Sequence, residues 1–129
     1  MISFAAFALE DGIPIYLQIL TYIKRGILAG NISDGDELPS RRVLSALLGV
    51  NPNTVQKAYR MLEDEGLITS HTGAKSIMVL TDCTVARIRT ELMENDAKNA
   101  IRTLRAMGIT MDEAIGLIKT YWNEGEEDR

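Results

Sequence analysis

Residues 38–62 read LPSRRVLSALLGVNPNTVQKAYRML, and this stretch determines the fold class of the chain. It holds four basic residues and no acidic one, although the chain of 129 residues carries 18 Asp and Glu against 14 Lys and Arg. The net charge is therefore −4. An acidic protein that keeps 25 consecutive residues free of carboxylates is expected to place them against a polyanion.

This stretch predicts two helices joined by a tight turn. Ser40 can cap the first helix, and Gly49 ends it after about two turns. Asn51 and Pro52 suit the cap and the first position of a second helix, which Gly66 terminates. Helix, tight turn and helix make a helix-turn-helix. The residues expected to face inward are Val43, Leu44, Leu47 and Leu48 in the first helix, and Val55, Ala58, Tyr59 and Leu62 in the second.

The flanking sequence completes a winged helix-turn-helix. Upstream, apolar residues at helical spacing from Pro14 onwards predict a helix that stops near Gly30. Downstream, two β-prone runs at residues 67–69 and 76–80 are joined by a polar link, which predicts a small hairpin in the position of a wing. We expect this DNA-binding domain to cover residues 1–81.

From residue 82 onwards, the pattern changes to long amphipathic helices. Apolar spacing predicts one helix that ends at Gly108, and Thr110 with Glu113 forms a capping-box pattern for another. Two helices of this size cannot bury both apolar faces alone, so residues 82–129 are interpreted as a dimerisation tail. The expected fold class is mainly α with a small β-hairpin, a winged helix-turn-helix followed by a two-helix tail.

Composition narrows the functional classes. No apolar run reaches the roughly 18 residues that cross a membrane. Residues 1–12 lack the basic region of a signal peptide and are interpreted as a short arm. A cytoplasmic protein without a membrane partner is expected. With one cysteine (Cys83) and one histidine (His71), the sequence predicts no metal site, no cofactor and no catalytic residues, so an enzyme is the weakest hypothesis.

The second helix of the motif has a polar face opposite its apolar one. At about 100° per residue, Asn53, Gln56, Lys57 and Arg60 lie opposite the apolar residues, with Thr54 on the flank. Amide side chains pair with adenine, whereas Lys and Arg contact guanine or phosphate, so all five are candidate DNA contacts. A solvated helix face often has this composition too; the helix-turn-helix and the missing carboxylates favour DNA.

Other candidate contacts lie outside this helix. Arg41 and Arg42, in the first turn of the preceding helix, could hold backbone phosphates, although ordinary solubility is the alternative. His71 and Lys75 on the wing could reach the minor groove or a phosphate, or be plain exposed turn residues. Acidic residues 63–65 lie near the far end of the second helix of the motif, the recognition helix. We expect their carboxylates to stand clear of the DNA groove.

These residues resemble a known family. The run GDELPSRRVLSALLGVNPNTVQKAYRMLEDEGLI is similar to the DNA-binding domain of GntR-family transcription regulators. The shared signature reads LPS-x-R, L-x-x-x-LGV, N-x-x-TV and Y-x-x-LE-x-EG with a hydrophobic pair. The NPNTV form and the short tail are most similar to the YtrA-type subfamily. The resemblance covers about residues 14–80.

The resemblance implies a homodimeric repressor that binds a palindromic operator and commonly controls transporter genes. The family arginine falls on Arg42, and the recognition positions fall on Asn53, Thr54, Gln56 and Lys57. The wing departs from the family pattern R-x-G-x-G-T, because residues 71–76 read HTGAKS and the second glycine is lost. The wing tip is therefore expected to differ in shape.

Two functions stay open beside each other. The first is a dimeric, sequence-specific transcription repressor with double-stranded DNA as its partner. The alternative is a winged-helix module that binds protein without specific DNA binding; the stretch without carboxylates argues against it. From its length of 129 residues, we expect the chain to lack the large effector domains of some family members. Any small-molecule effector would use a small pocket at the helical dimer interface, or the protein works without one.

Overall fold

A computed structural model describes residues 1–70 and 75–124 of the chain. In chain order, these residues form α1 (Ile15–Leu28), β1 (Glu37–Leu38), α2 (Arg41–Leu48), α3 (Pro52–Asp64), β2 (Ile68–Ser70), β3 (Ser76–Met78), α4 (Asp82–Ala106) and α5 (Met111–Tyr121). The chain divides into two compact units, Met1–Thr90 and Glu91–Arg129. This division lies inside α4, whereas the boundary predicted after residue 81 lies where α4 begins; that domain assignment stays a prediction.

The helix-turn-helix forms with the predicted caps. The Ser40 hydroxyl accepts a hydrogen bond from the backbone N–H of Val43 (3.2 Å), and α2 ends at Gly49 in the left-handed conformation, with φ 66°. The Asn51 side chain then accepts from the backbone N–H of Asn53 (2.8 Å), and a proline opens α3. Each side-chain cap satisfies a backbone N–H that the start of the helix would otherwise leave unpaired, which fixes where α2 and α3 begin.

The core of the first unit lies between α1 and α3. Ile19 and Ile23 of α1 are fully buried, as is Leu44 of α2. The predicted inward face of α3 is confirmed, because Val55, Ala58, Tyr59 and Leu62 have no exposed surface. The Tyr59 hydroxyl donates a hydrogen bond to the Pro39 carbonyl oxygen (2.6 Å), so this polar group is satisfied inside the core.

Two residues of α2 were assigned to the wrong face. Val43 and Leu47 were expected inside, but 47% and 67% of their surface is exposed. The buried stripe instead runs through Leu44 and Ser45, because the Ser45 hydroxyl donates to the Val50 carbonyl oxygen across the turn (2.6 Å). Since successive residues are about 100° apart, burying Ser45 turns Val43 and Leu47 towards the solvent.

A small antiparallel sheet follows the helix-turn-helix. Its strand order is β1-β3-β2, with Leu38 opposite Ser76 and Ile68 opposite Met78. The predicted hairpin is confirmed as β2 and β3, but the sequence did not predict β1. That strand has two residues and is followed directly by Pro39, so no alternating pattern could show it.

The N-terminal segment is part of the packed first unit and is more than the short arm that the sequence predicts. Ile2 and Phe4 are buried, and the Ile2 N–H donates to the Glu37 carbonyl oxygen (2.8 Å). The rings of Phe4 and Phe7 lie 5.0 and 5.3 Å from the ring of Tyr22 in α1, measured between centroids. This aromatic cluster covers part of α1 that would otherwise be exposed to water.

The second unit contains the end of α4 and all of α5. Gly108 follows α4 with φ 77°. The predicted capping box is confirmed, because the Thr110 hydroxyl accepts from the Glu113 N–H (3.2 Å) and the Glu113 carboxylate accepts from the Thr110 N–H (3.1 Å). No residue of α5 is buried. Within the described part of the chain, no helix is long and apolar enough to cross a membrane.

Candidate nucleic-acid interface

The solvent-facing side of α3 carries the five candidate DNA contacts of this helix. Asn53, Lys57 and Arg60 are exposed, and Thr54 and Gln56 are partly buried. The opposite side of the helix is anchored in the core, so the polar face has a fixed orientation. The predicted division into two faces is confirmed; contact of these side chains with DNA stays a prediction.

The N-terminal end of α3 has an electrostatic field that favours binding of an anion such as a phosphate. The first turn of this helix contains no acidic residue, and one of its N–H groups is used by the Asn51 cap. The remaining N–H groups and the helix dipole give this end partial positive charge, which favours a nearby phosphate. The exposed side chains of Asn53 and Lys57 lie within the first two turns of this helix.

Lys57 has a partner on another helix. Its Nζ lies 3.9 Å from the centroid of the Tyr16 ring, within the range of a cation–π contact. Tyr16 sits in the first turn of α1 and is partly buried. The sequence gives no sign of this contact, because 41 positions separate the two residues and no local pattern connects them.

Arg41 is engaged inside the protein, unlike its neighbour Arg42. Its Nη2 lies 3.0 Å from the Glu63 carboxylate, and its guanidinium lies 5.0 Å from the centroid of the Tyr59 ring. Its Nε is buried and has no hydrogen-bond partner among the described residues. Burial raises the pKa of the Tyr59 hydroxyl above its usual range, an effect that Arg41 partly opposes. Arg42 is exposed, and phosphate contacts by either arginine stay predictions.

Two of the carboxylates at the end of α3 are paired with cations. Glu63 accepts from Arg41 and from the Ser70 hydroxyl. Glu65 accepts from Lys24 of α1 (2.9 Å), a side chain with only 7% of its surface exposed. Arg87 of α4 donates to the backbone carbonyl oxygen of Glu65 (2.7 Å). These contacts offset the negative charge of the two carboxylates and hold the end of α3 in place.

The two candidate contacts on the wing are His71 and Lys75. The prediction for His71 lies outside the described residues. Lys75 is exposed and directly precedes β3. The strands at the base of the wing are joined by the hydroxyls of Ser70 and Ser76, whose oxygens are 3.0 Å apart. Lys75 therefore extends from an anchored strand, and its groove contact stays a prediction.

The described residues differ in how well they meet the requirements of a metal site and of a small-ligand pocket. They contain no group of three or more His, Cys, Asp or Glu side chains placed to hold a metal ion. A half-open cavity of about 470 Å³ lies between the N-terminal segment and α1, with Tyr22 and Arg25 in its wall. Its volume falls in the range of small-ligand pockets. The cavity lies within one chain, whereas the sequence placed any effector at an interface between copies.

The geometry defines a winged helix-turn-helix with an exposed recognition helix, and known proteins share it. Residues 15–76 match the family described as bacterial regulatory proteins, gntR family. Over 60 residues, the chain is 48% identical to the HTH-type transcriptional repressor YtrA of Bacillus subtilis, which covers 46% of each protein.

Solved structures extend the similarity to the tail. A GntR family transcriptional regulator from Listeria monocytogenes superposes with a TM-score of 0.74 at 30% identity, over 87% of this chain and 98% of that one. YtrA from Sulfolobus acidocaldarius, a GntR-family transcription factor, superposes with a TM-score of 0.52 at 32% identity, over 90% and 94% of the two chains.

The fold and the recognition helix thus place the protein among winged-helix transcription regulators. The chain belongs to the GntR family and is similar to its YtrA-type members. The resemblance inferred from the signature residues and the predicted fold class are both confirmed. Proteins of this family bind DNA and are not enzymes, so the enzyme hypothesis is set aside.

Proposed function

We propose that the protein is a homodimeric transcription repressor that reads a palindromic operator with α3. The exposed face of α3 carries this proposal. It combines two amides (Asn53 and Gln56), two cations (Lys57 and Arg60) and one hydroxyl (Thr54) on a helix whose other face is buried. Such side chains suit base edges in the major groove, which admits one α-helix.

The tail supports the homodimeric part of the proposal. Large apolar side chains of α5 are exposed in the single chain, including Ile118 at 52% and Trp122, just after the helix, at 74%. Since monomeric proteins rarely expose contiguous apolar faces, a second copy is the occupant that this face suits. Two copies related by a two-fold axis would present their α3 helices to two half-sites, about one helical turn of DNA or a multiple apart.

Repression is proposed from the similarity to YtrA. The Bacillus subtilis protein is named a transcriptional repressor, and the chain is 48% identical to it over 60 residues. A repressor acts by occupying its operator, which needs no domain beyond the winged helix and a dimerisation tail. We extend the proposal to transporter genes, because the YtrA-type resemblance implies them, and to the cytoplasm, where operator DNA is found.

Fluorescence anisotropy tests this function directly. The full chain is titrated onto duplex DNA from immediately upstream of its own gene and onto a scrambled duplex, at low and at moderate salt. We expect tighter binding to the upstream DNA, with an affinity that falls steeply as salt rises because phosphate contacts release counterions. Absence of DNA binding at both salt concentrations would contradict the proposal and favour the protein-binding module.

A further inference from the structure

We propose that Tyr16 is a specificity-determining residue for DNA recognition, acting through Lys57. The proposal rests on the function proposed above, because it concerns how α3 reads its operator. The Lys57 Nζ lies 3.9 Å from the centroid of the Tyr16 ring, so the ammonium sits over the ring face. Lys57 belongs to the recognition helix, and Tyr16 belongs to α1, outside the helix-turn-helix.

The Tyr16 ring stands on a well-anchored part of the chain. Gln18, in the same turn of α1, accepts from the Glu10 N–H (2.8 Å) and donates to the carbonyl oxygens of Glu10 (2.9 Å) and Ile13 (2.8 Å). Further along α1, Ile19 is fully buried in the core that α1 shares with α3. The ring is therefore held at a fixed position relative to the recognition face.

The ring limits the freedom of a side chain that is otherwise mobile. An exposed lysine has many rotamers, and binding a base or a phosphate removes most of them at an entropic cost. A contact that already restricts the Lys57 side chain lowers this cost. An ammonium has three N–H donors, and a ring on one side leaves donors on the other side for guanine O6 or N7, or for a phosphate oxygen.

The Tyr16 hydroxyl is not needed for this role. No hydrogen bond from it is found among the described residues, and the attraction between an ammonium and an aromatic face is also present in phenylalanine. Tyr16→Phe is therefore a matched control that keeps the ring. Tyr16→Leu removes the ring face but keeps an apolar side chain, and Lys57→Met removes the ammonium but keeps the apolar stem.

The test uses DNA that the wild-type protein selects from a random-sequence duplex pool. Anisotropy then gives the affinity of wild type, Y16F, Y16L, K57M and the double variant Y16L/K57M for the selected duplex. We expect Y16L to bind about two- to fivefold more weakly than wild type, as the lost pre-ordering of one lysine side chain predicts. Y16F should bind like wild type, and Y16L should have no further effect in the K57M background.

Base preference provides a readout that a purely structural role would not change. Each position of the selected duplex is substituted in turn, and the loss of affinity is measured for wild type, Y16L and K57M. We expect Y16L and K57M to relax the preference at the same position. Equal loss for every duplex, or an equal effect of Y16L with and without Lys57, would overturn the proposal and leave Tyr16 as a packing residue.

A second measurement does not depend on the folding of Y16L. Aromatic ring currents shift nearby protons upfield in NMR spectra, so the ε-methylene protons of Lys57 should be shifted upfield in the wild-type protein. Lysine methylene protons at their ordinary position in wild type would overturn the proposal. If the wild-type chain selects no sequence from the pool, the proposed function fails and this inference falls with it. If it selects a sequence that Y16L binds equally well, the inference alone fails.

Discussion

Two amphipathic helices of similar length, α3 and α5, differ in the burial of their apolar faces. In α3, Val55, Ala58, Tyr59 and Leu62 are completely buried, whereas α5 buries none of its residues. The apolar face of α3 is therefore buried within a single chain, and this burial gives the recognition helix a fixed support. The apolar face of α5 suits a second copy. If the proposed dimer forms through α5, DNA recognition and self-association lie on different helices, and substitutions in α3 and α5 should act on different properties.

The largest effect is expected in the core beneath the recognition face. Leu62→Ala removes a fully buried side chain and leaves a cavity, so the free energy of unfolding should fall by about 2–5 kcal/mol. Urea unfolding monitored by circular dichroism measures this change. Ile118→Ala in α5 is the matched comparison and should cost far less in a monomeric sample. Equal losses at both positions would remove the contrast between the two helices.

Self-association should respond to a charge on the apolar face of α5. Ile118→Glu is expected to weaken the dimer by about 100-fold or more, because association would bury an unpaired carboxylate. Thr120→Glu places the same charge on the opposite side of α5 and serves as the control. Sedimentation velocity distinguishes the two variants. If Ile118→Glu stays dimeric at the concentrations where wild type does, the tail does not dimerise through this face.

Specific recognition should depend on the polar face of α3 and not on α5. Asn53→Ala is expected to cost roughly 1–3 kcal/mol at the specific site, because the lost amide can no longer pair with a base edge. Its melting temperature should stay close to wild type, since Asn53 is exposed. Anisotropy on specific and scrambled duplexes measures the loss. Unchanged affinity for the operator would show that this face does not read the DNA.

The smallest effect is expected at the two neighbouring arginines of α2. Arg42→Ala should lower the slope of log K against log salt by about one, as loss of one phosphate contact predicts. Arg41→Ala should in addition reduce stability by up to about 1 kcal/mol, because Arg41 is paired with Glu63. Salt titrations and thermal unfolding separate the two roles. A stability loss confined to Arg42→Ala would contradict this assignment.

Local signals in the sequence predict much of the fold. The caps at Ser40, Asn51 and Thr110 are strong signals because each satisfies a backbone group at a helix start. The sequence predicts the buried face of α3 correctly because Val55, Ala58, Tyr59 and Leu62 repeat at helical spacing over about two turns. In α2 the spacing of apolar residues predicted the wrong buried face, because Ser45 occupies an inward position in a helix of only eight residues. Strand β1 was too short to leave any pattern.

The candidate site was predicted less completely. Helical geometry alone placed the five candidate contacts of α3 on the solvent-facing side. The contacts that position them are long-range, such as Tyr16 with Lys57, Arg41 with Glu63 and Lys24 with Glu65. No spacing rule connects residues on different helices, so these pairings required the three-dimensional structure.

Symmetric recognition by two α3 helices is tested most directly with a half-site comparison. Anisotropy measures the affinity of the full chain for a selected duplex and for the same duplex with one half-site scrambled. A dimer that reads both half-sites should lose at least about tenfold in affinity for the scrambled form, since each mismatched base pair costs about 1–3 kcal/mol. Equal affinity for the two duplexes would contradict recognition of a palindrome by a symmetric dimer.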